Sequence, residues 1–118
     1  MVSEHANAYQ LSFEAAKCIN TNSADTFADG LAVRNPSQQA LDVLRSGLKR
    51  IVDVSDEMIM AAISHYFNDT HNVAEGAGAA SLAALLMEKN INQGKKTGVV
   101  LTGGNITQEI FRQALLIE

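Results

Sequence analysis

Apolar residues recur along much of the chain at the spacing of an amphipathic helix, and short apolar runs between these stretches are typical of strands. Leu41, Leu44 and Leu48 share one such face, behind a proline, Pro36, that suits the first turn of a helix. Helices are predicted over residues 7–18, 36–48, 79–89 and 106–116, and another is predicted to begin after Ser55. Residues 19–34 show no period and are predicted to form a long loop.

The second half of the chain repeats a pattern of strand, tight turn and helix. Strands are predicted at residues 50–54, 71–75 and 98–102. Ser55, the turn at residues 76–78 and Asn105 then lead into the three helices that follow. Such alternation is typical of an α/β fold with a parallel sheet and crossover helices. The predicted fold is therefore a three-layer α/β structure, and residues 1–118 are predicted to form a single domain.

The helix predicted over residues 79–89 is apolar on most of its sides. Leu82, Leu85 and Leu86 stand among alanines in this stretch. A helix that lacks a polar face is usually enclosed by other elements of the protein. We therefore expect this helix to be buried between the sheet and neighbouring helices.

Composition and charge exclude several classes of function. The chain has 118 residues, a hydrophobic fraction of 47% and a net charge of -4. Its nine lysines and arginines are scattered, so a nucleic-acid partner is not expected. No apolar run approaches the roughly 20 residues of a membrane span, and Cys18, the only cysteine, excludes an internal disulfide. These features favour a cytoplasmic protein that does not bind membranes.

Two glycine-rich turns are the candidate places for chemistry. Residues 75–80 read EGAGAA and residues 101–105 read LTGGN, and each turn follows a predicted strand and precedes a helix. Ligands of parallel sheets bind beyond the carboxyl ends of the strands, where helix N-termini also attract anions. The spacing Gly76-x-Gly78-x-x-Ser81 partly resembles a dinucleotide fingerprint, but it lacks a clear strand ending in Asp or Glu about 20 residues later. Alternatively, both glycines only let a helix and a strand pack closely.

Four segments in register resemble signature motifs of one enzyme family. Residues 26–33 (TFADGLAV) resemble T-x-A-D-G-L-A-V, and residues 51–57 (IVDVSDE) resemble the V-x-V-S-[DE]-x-E strand and cap. Residues 73–80 (VAEGAGAA) and 99–105 (VVLTGGN) resemble V-x-E-G-A-G-A-A and V-x-L-S-G-G-N. These are motifs of the threonine/serine dehydratase family of fold-type II pyridoxal-phosphate (PLP) enzymes, which includes serine racemase. The resemblance implies a C-terminal fragment of the large, PLP-binding domain of such an enzyme.

The resemblance also implies positions that bind the cofactor. In the family, the serine of the S-G-G-N turn contacts the pyridine nitrogen of PLP, and Thr102, followed by Gly103, has that place here. The E-G-A-G glutamate lies close to the cofactor ring in relatives, as does a loop glycine, which implies Glu75 and Gly30. The alternatives are a hydroxyl that bonds its own turn for Thr102, a surface or N-cap carboxylate for Glu75, and a positive-φ turn for Gly30. Asp29 is expected to brace that turn.

A divalent cation is a further expectation from the resemblance. Residues 3–10 align with a family segment in which a glutamate, a backbone carbonyl four residues later and an aspartate two residues beyond bind the ion. The matching positions are Glu4, Ala8 and Gln10. Gln10 replaces the acidic ligand with an amide, which can bind Mg²⁺ or Ca²⁺ but adds no charge.

Family features that complete the catalytic site are not found among these motifs. Relatives attach PLP as a Schiff base to the lysine of an S-F-K-x-R motif. None of the lysines stands in that context, namely Lys17, Lys49, Lys89, Lys95 and Lys96. Without such a lysine there is no base to take the α-proton. The chain alone is therefore expected to contain no catalytic residue and to be inactive, and its uncovered apolar surface is expected to favour a homo-oligomer.

The function that the resemblance implies is an ammonia-lyase acting on a small amino-acid substrate, L-threonine or L-serine, to form a 2-oxo acid and ammonia. Serine racemase and hydroxyaspartate lyase are alternatives within the family, because the residues present do not determine the substrate side chain. A non-catalytic α/β module that binds a ligand or partner is the alternative outside catalysis. A regulatory ACT-type domain is disfavoured, since its βαββαβ pattern has no place for the G-G-N turn.

Overall fold

The computed structural model describes residues 1–117 of the chain. Its strands are β1 (Val2–Ser3) and β2 (Asp53–Val54). Its α-helices are α1 (Ala8–Ala15), α2 (Gln38–Gly47), α3 (Asp56–Thr70), α4 (Gly76–Met87), α5 (Lys89–Asn92) and α6 (Gln108–Leu115). A 3₁₀ turn, Asp29–Leu31, lies in the long segment between α1 and α2. Helices around a parallel sheet confirm the α/β class that the sequence predicts.

The sheet of the described chain is formed by β1 and β2, which run parallel. Val2 pairs with Asp53 and Ser3 with Val54. The N–H of Val2 also donates to the carbonyl of Val52 at 2.9 Å. β2 confirms the first of the three predicted strands over a shorter length. The sequence does not predict β1, because two residues are too few to show an alternating pattern.

The other two predicted strands, residues 71–75 and 98–102, do not form in the structure. Their ends nevertheless lie side by side, since the N–H of Glu75 donates to the carbonyl of Gly103 at 3.0 Å. A parallel strand needs a series of evenly spaced backbone bonds to a neighbour, and one bond does not make such a ladder. The prediction of these strands is therefore wrong for this chain, because neither segment has a pairing strand within residues 1–117.

Capping residues determine where two of the long helices begin. Ser55 caps α3 as predicted, since its hydroxyl accepts from the N–H of Met58 at 3.2 Å. The cap of α6 is Thr107 and not Asn105, and the Thr107 hydroxyl accepts from the N–H of Ile110 at 3.3 Å. Asn105 stays outside the helix because its N–H donates to a glutamate side chain of another segment.

The core lies where α3 packs against α4, with α6 also packed on α3. Ile59 and Ile63 of α3 are fully buried, and each contributes about 1.5–3 kcal/mol by burial. The ring of Phe67 packs edge-on against that of Phe111 in α6, with centroids 5.3 Å apart. The buried residues of α4 are all small, namely Gly76, Gly78, Ala79, Ala80 and Ala83. Small residues let α4 approach its neighbours closely.

The last turn of α4 is less enclosed than the sequence predicts. Leu86 and Met87 are 38% and 42% exposed, and Leu82 and Leu85 are half-buried. The alanines of α4 fill the core, whereas its apolar end has no covering element within residues 1–117. Despite these exposed side chains, none of the helices of the described region combines the length and apolar character needed to cross a membrane.

Asp56, the first residue of α3, connects three segments. One oxygen of its carboxylate accepts from the hydroxyls of Thr26 at 2.6 Å and of Ser3 at 3.4 Å, and the other accepts from the N–H of Phe27 at 3.2 Å. A carboxylate in the first turn of a helix also interacts favourably with the helix dipole. Asp56 therefore fixes the loop that carries Gly30 against β1 and the start of α3.

An ion pair joins the segment before β2 to the end of α4. The guanidinium of Arg50 donates to both carboxylate oxygens of Glu88, in one case at 2.7 Å. This hydrogen bonding lowers the pKa of the Glu88 carboxyl and raises the pKa of the Arg50 guanidinium, with a smaller Coulombic contribution. The pair lies at the surface, so its contribution to stability is modest and is screened by salt.

The chain should lose this contribution in acid. The pKa of Glu88 is lower in the folded than in the unfolded chain. The pair therefore stabilises the fold at pH values above 4.5, the ordinary pKa of a glutamate side chain. That stabilisation disappears as the pH falls through the lowered folded value. At neutral pH the thermal midpoint should therefore be lower for Glu88→Gln than for the unmodified chain, and the difference should vanish in acid below the folded pKa. As a control, Glu14→Gln removes an exposed charge from α1 and should leave the thermal midpoint at neutral pH unchanged. If the difference in thermal midpoint between Glu88→Gln and the unmodified chain did not depend on pH, this account would be contradicted.

Candidate functional site

The two glycine-rich turns of the sequence lie against each other in the structure. The N–H of Glu75 donates to the carbonyl of Gly103 at 3.0 Å, and a carboxylate oxygen of Glu75 accepts from the N–H of Asn105 at 3.2 Å. Glu75 has the N-cap position of α4, yet its side chain makes no capping bond to that helix. The carboxylate instead holds the turn at residues 103–105, so the expected alternative of an N-cap carboxylate does not apply.

Glycines at these turns are packed too closely to carry a side chain. A Cβ on Gly78 would lie 2.6 Å from the carbonyl oxygen of Gly103, and a Cβ on Gly30 would lie 2.8 Å from the Cβ of Ala77. Gly76 is enclosed in the same way. Gly30 does not have a positive φ, so close approach rather than an unusual turn explains the glycine. The two turns and the loop at Gly30 are thus held together by backbone contact with the start of α4.

A cavity of about 460 Å³ opens beside this contact. Gly30, Glu75 and Gly76 line it from the loop and the start of α4, and Asn105 and Thr107 line it from the segment before α6. Its volume lies in the range of small-molecule sites, roughly 300–1,000 Å³. The structure therefore brings two of the predicted cofactor-binding positions, Gly30 and Glu75, to one opening.

Thr102 lies on the other side of the same turn. It is exposed and borders a second cavity, also of about 460 Å³, together with Ser81 and Val100. Gly103 lies directly against Glu75, since a Cβ on Gly103 would be 2.5 Å from a carboxylate oxygen of Glu75. The four predicted positions are thus close to one turn, but Thr102 and Glu75 border different cavities of the described chain.

The segment expected to bind a cation uses its polar atoms in bonds within the chain. The carboxylate of Glu4 lies 3.5 Å from Nε2 of His5. The carbonyl of Ala8 accepts from the Ser12 hydroxyl at 2.7 Å, and the amide of Gln10 donates to an aspartate at 3.5 Å. Across residues 1–117, no group of three or more His, Cys, Asp or Glu side chains is arranged to hold a metal ion.

Two residues that shape the site are missed by the sequence analysis. The hydroxyl of Ser81 donates to the carbonyl of Val100 at 3.1 Å, and Asn105 contributes its backbone N–H to Glu75 where the sequence predicts a helix cap. Ser81 stands out in the sequence only through its spacing from Gly76 and Gly78, which resembles a motif of different chemistry. A bond between residues 19 apart in the chain leaves no periodic signal.

Comparison with protein families identifies the larger group to which this site belongs. The profile of the family described as pyridoxal-phosphate dependent enzyme matches residues 1–103. The chain belongs to this family. The matched region includes β1, α4 and the turn at Thr102 and Gly103, and it confirms the resemblance that the four motifs indicate. The cofactor implied by membership of the PLP-dependent family is pyridoxal phosphate.

Several curated relatives of this PLP-family chain are ammonia-lyases. An L-threonine ammonia-lyase of Thermotoga maritima is 38% identical over 81 residues, which are 69% of this chain and 20% of that protein. The biosynthetic L-threonine dehydratase of Lactococcus lactis is 31% identical over 117 residues, which are 96% of this chain and 28% of that protein. An L-threo-3-hydroxyaspartate ammonia-lyase of a Pseudomonas species is 27% identical over 112 residues, which are 95% of this chain and 35% of that protein. The chain thus spans between about a fifth and about a third of these relatives.

Solved structures of the PLP family share the fold of this chain. Threonine deaminase from T.th. superposes with a TM-score of 0.81 at 29% identity, over 89% of this chain and 38% of that chain. Maize serine racemase superposes with a TM-score of 0.83 at 25% identity, over 97% of this chain and 36% of that chain. The chain therefore has the fold of part of a fold-type II PLP enzyme.

The residues at the turn fit one edge of a PLP molecule. Thr102 lines a cavity of suitable size, and its neutral hydroxyl can donate to or accept from a ring nitrogen. Neither of the two larger cavities is bordered by a lysine of the described chain. The described residues that border these two cavities therefore include the hydroxyl of Thr102 and no lysine.

The contact between Gly78 and the turn can be tested with alanine. Gly78→Ala should lower the free energy of unfolding by about 1–3 kcal/mol, because its Cβ would overlap the Gly103 carbonyl and force the backbone to move. Gly47→Ala is the matched control, since Gly47 is also helical and a Cβ there has nothing within 4 Å. That change should stabilise the chain by up to about 1 kcal/mol. Urea titration of both variants measures the two effects. An unchanged free energy of unfolding in Gly78→Ala would show that the close contact does not matter for stability.

Proposed function

We propose that this chain is the C-terminal portion of the catalytic domain of a PLP-dependent ammonia-lyase, which converts L-threonine or L-serine to a 2-oxo acid and ammonia. The observation that supports this most directly is the identity of 38% and 31% to an L-threonine ammonia-lyase and an L-threonine dehydratase. The exposed hydroxyl of Thr102 at the turn supports the same chemistry.

In this proposal Thr102 contacts the ring nitrogen of the cofactor. PLP, when bound, supplies an electron sink for the α-carbon of the substrate. The neutral hydroxyl of Thr102 does not keep the ring nitrogen protonated as a carboxylate would, so the sink is weaker and suits prompt loss of a β-hydroxyl group. The β-methyl of Thr102 restricts its rotamers, which fixes the direction of the hydroxyl.

Glu75, Gly30 and Gly103 shape the surroundings of that hydroxyl. The family motif is the support for placing Glu75 and Gly30 beside the cofactor ring. Within the chain, the carboxylate of Glu75 holds the N–H of Asn105, and Gly103 leaves room for that carboxylate. Gly30 lets its loop approach Ala77 at the start of α4. Together these contacts keep the turn in one place while a ligand binds.

The chain by itself should be inactive. Neither of the two cavities at the turn is bordered by a lysine of the described chain, and we expect the base for the α-proton to come from the rest of the enzyme. The remainder of a PLP-enzyme fold would have to supply that lysine, the phosphate site and the contacts to the substrate carboxylate. Cation binding at Glu4 and Ala8, formation of a homo-oligomer and a cytoplasmic location stay predictions.

Two other activities in the family have specific support. The TM-score of 0.83 to maize serine racemase favours racemisation as an alternative, and the 27% identity to an L-threo-3-hydroxyaspartate ammonia-lyase favours that substrate. A non-catalytic α/β binding module is the alternative if none of these reactions occurs.

A chimera tests the proposal. The dehydratase of Lactococcus lactis provides its own remaining domains, and this chain replaces the segment that aligns over 117 residues. Loaded with PLP, the chimera should form a 2-oxo acid from L-threonine or L-serine, whereas the 118-residue chain with added PLP should form none. A folded, PLP-containing chimera that turns over neither of these amino acids would favour the binding module.

The role of Thr102 can be measured in the same chimera. Thr102→Ala should lower kcat/KM for L-threonine about tenfold, since a lost hydrogen bond worth about 1.4 kcal/mol corresponds to a factor of that size. Thr102→Ser keeps the hydroxyl and is the matched control, with an expected change below about threefold. Thr102→Asp would hold the ring nitrogen protonated and should slow elimination as well. Equal rates for the alanine and serine variants would rule out a role for the hydroxyl.

A further inference from the structure

The segment that carries Thr102 has few bonds to the rest of the chain. Residues 98–102 form no strand in the described region, and Val100 is 71% exposed. A side-chain bond fastens this segment to the core, since the hydroxyl of Ser81 on α4 donates to the carbonyl of Val100 at 3.1 Å. Ser81 and Thr102 border the same cavity. The bond therefore acts on the backbone two residues before the proposed contact with the cofactor.

Three positions at the start of α4 hold the segment from one side. Glu75, Gly78 and Ser81 follow each other at intervals of three residues, which places neighbours in this series on the same side of the helix. Glu75 binds the turn after Thr102, Ser81 binds the segment before it, and Gly78 touches the turn between them. Two hydrogen bonds on opposite sides of Thr102 thus define where that residue lies.

We infer that Ser81 is a positioning residue that fixes the Thr102 hydroxyl at the edge of the cavity. This inference rests on the proposed function, in which Thr102 contacts the ring nitrogen. In this inference Ser81 does not contact the cofactor, and it acts on Thr102 through the carbonyl of Val100. Its hydroxyl is used in this bond, so the spacing Gly76-x-Gly78-x-x-Ser81 serves to hold a neighbouring segment and not to bind a dinucleotide.

The bond matters because the segment has no strand beside it within residues 1–117. A segment inside a sheet is held by a ladder of backbone bonds to its neighbours. Here a single hydroxyl replaces part of such a ladder on the Val100 side. Since displacements of about 1 Å at a reacting centre can cost on the order of a hundredfold in rate, partial freedom of Thr102 should lower activity measurably.

The first test needs no cofactor. Backbone ¹⁵N order parameters of the 118-residue chain should be near those of a rigid backbone, about 0.85, at residues 99–103, and Ser81→Ala should lower them toward about 0.6. Ser46→Ala is the matched control, because it also removes a hydroxyl bond to a backbone carbonyl, that of Val43 at 2.7 Å, but on α2. Unchanged order parameters in Ser81→Ala, or a flexible segment in the unmodified chain, would overturn the inference.

The second test is a double-mutant cycle in the active chimera. Ser81→Ala alone should lower kcat/KM for L-threonine about fivefold, and it should have less than about a twofold effect when Thr102 is already alanine, because its action passes through the Thr102 hydroxyl. Equal effects in both backgrounds would assign Ser81 a purely structural role and overturn the inference. An inactive chimera would instead refute the proposed function, while the order parameters still decide whether Ser81 holds the segment.

Discussion

The close packing at the start of α4 is the constraint on which the rest of the structure depends. A Cβ at Gly78 would overlap the carbonyl of Gly103, and one at Gly30 would overlap Ala77. These glycines bring the long loop and the segment before α6 into backbone contact with one helix end. Because backbone atoms meet directly, the position of each segment is determined with little freedom. Asp56 adds a charged anchor for the loop, through Thr26 and Phe27.

This packing also determines how the candidate site is arranged. The turn at residues 101–105 borders two cavities of similar volume, one through Asn105 and the other through Thr102. Glu75 and Gly30 face one cavity and Thr102 faces the other. The carboxylate of Glu75 is engaged with the N–H of Asn105, so in this chain it holds the turn rather than pointing into open space. The position of the turn at Thr102 therefore depends on contacts within the chain, such as that of Glu75 with Asn105.

The incomplete sheet explains the exposed apolar surface. β1 and β2 pair with each other, while residues 71–75 and 98–102 keep the sequence of strands without forming them. Val100 and the last turn of α4 are exposed for the same reason, since no further strand covers them within residues 1–117. The chain spans 20% to 35% of the length of these curated relatives.

The sequence by itself determined the α/β class, the family and the order of the helices, because hydrophobic period, caps such as Ser55 and four local motifs are all properties of short segments. It did not determine which strands form, since pairing requires a neighbour, and it placed the cap of α6 at Asn105 instead of Thr107. The tertiary structure alone decided that Glu75 binds Asn105 and that Ser81 binds Val100. Those bonds join residues 30 and 19 positions apart, and they exist only because the glycines of α4 allow the segments to touch.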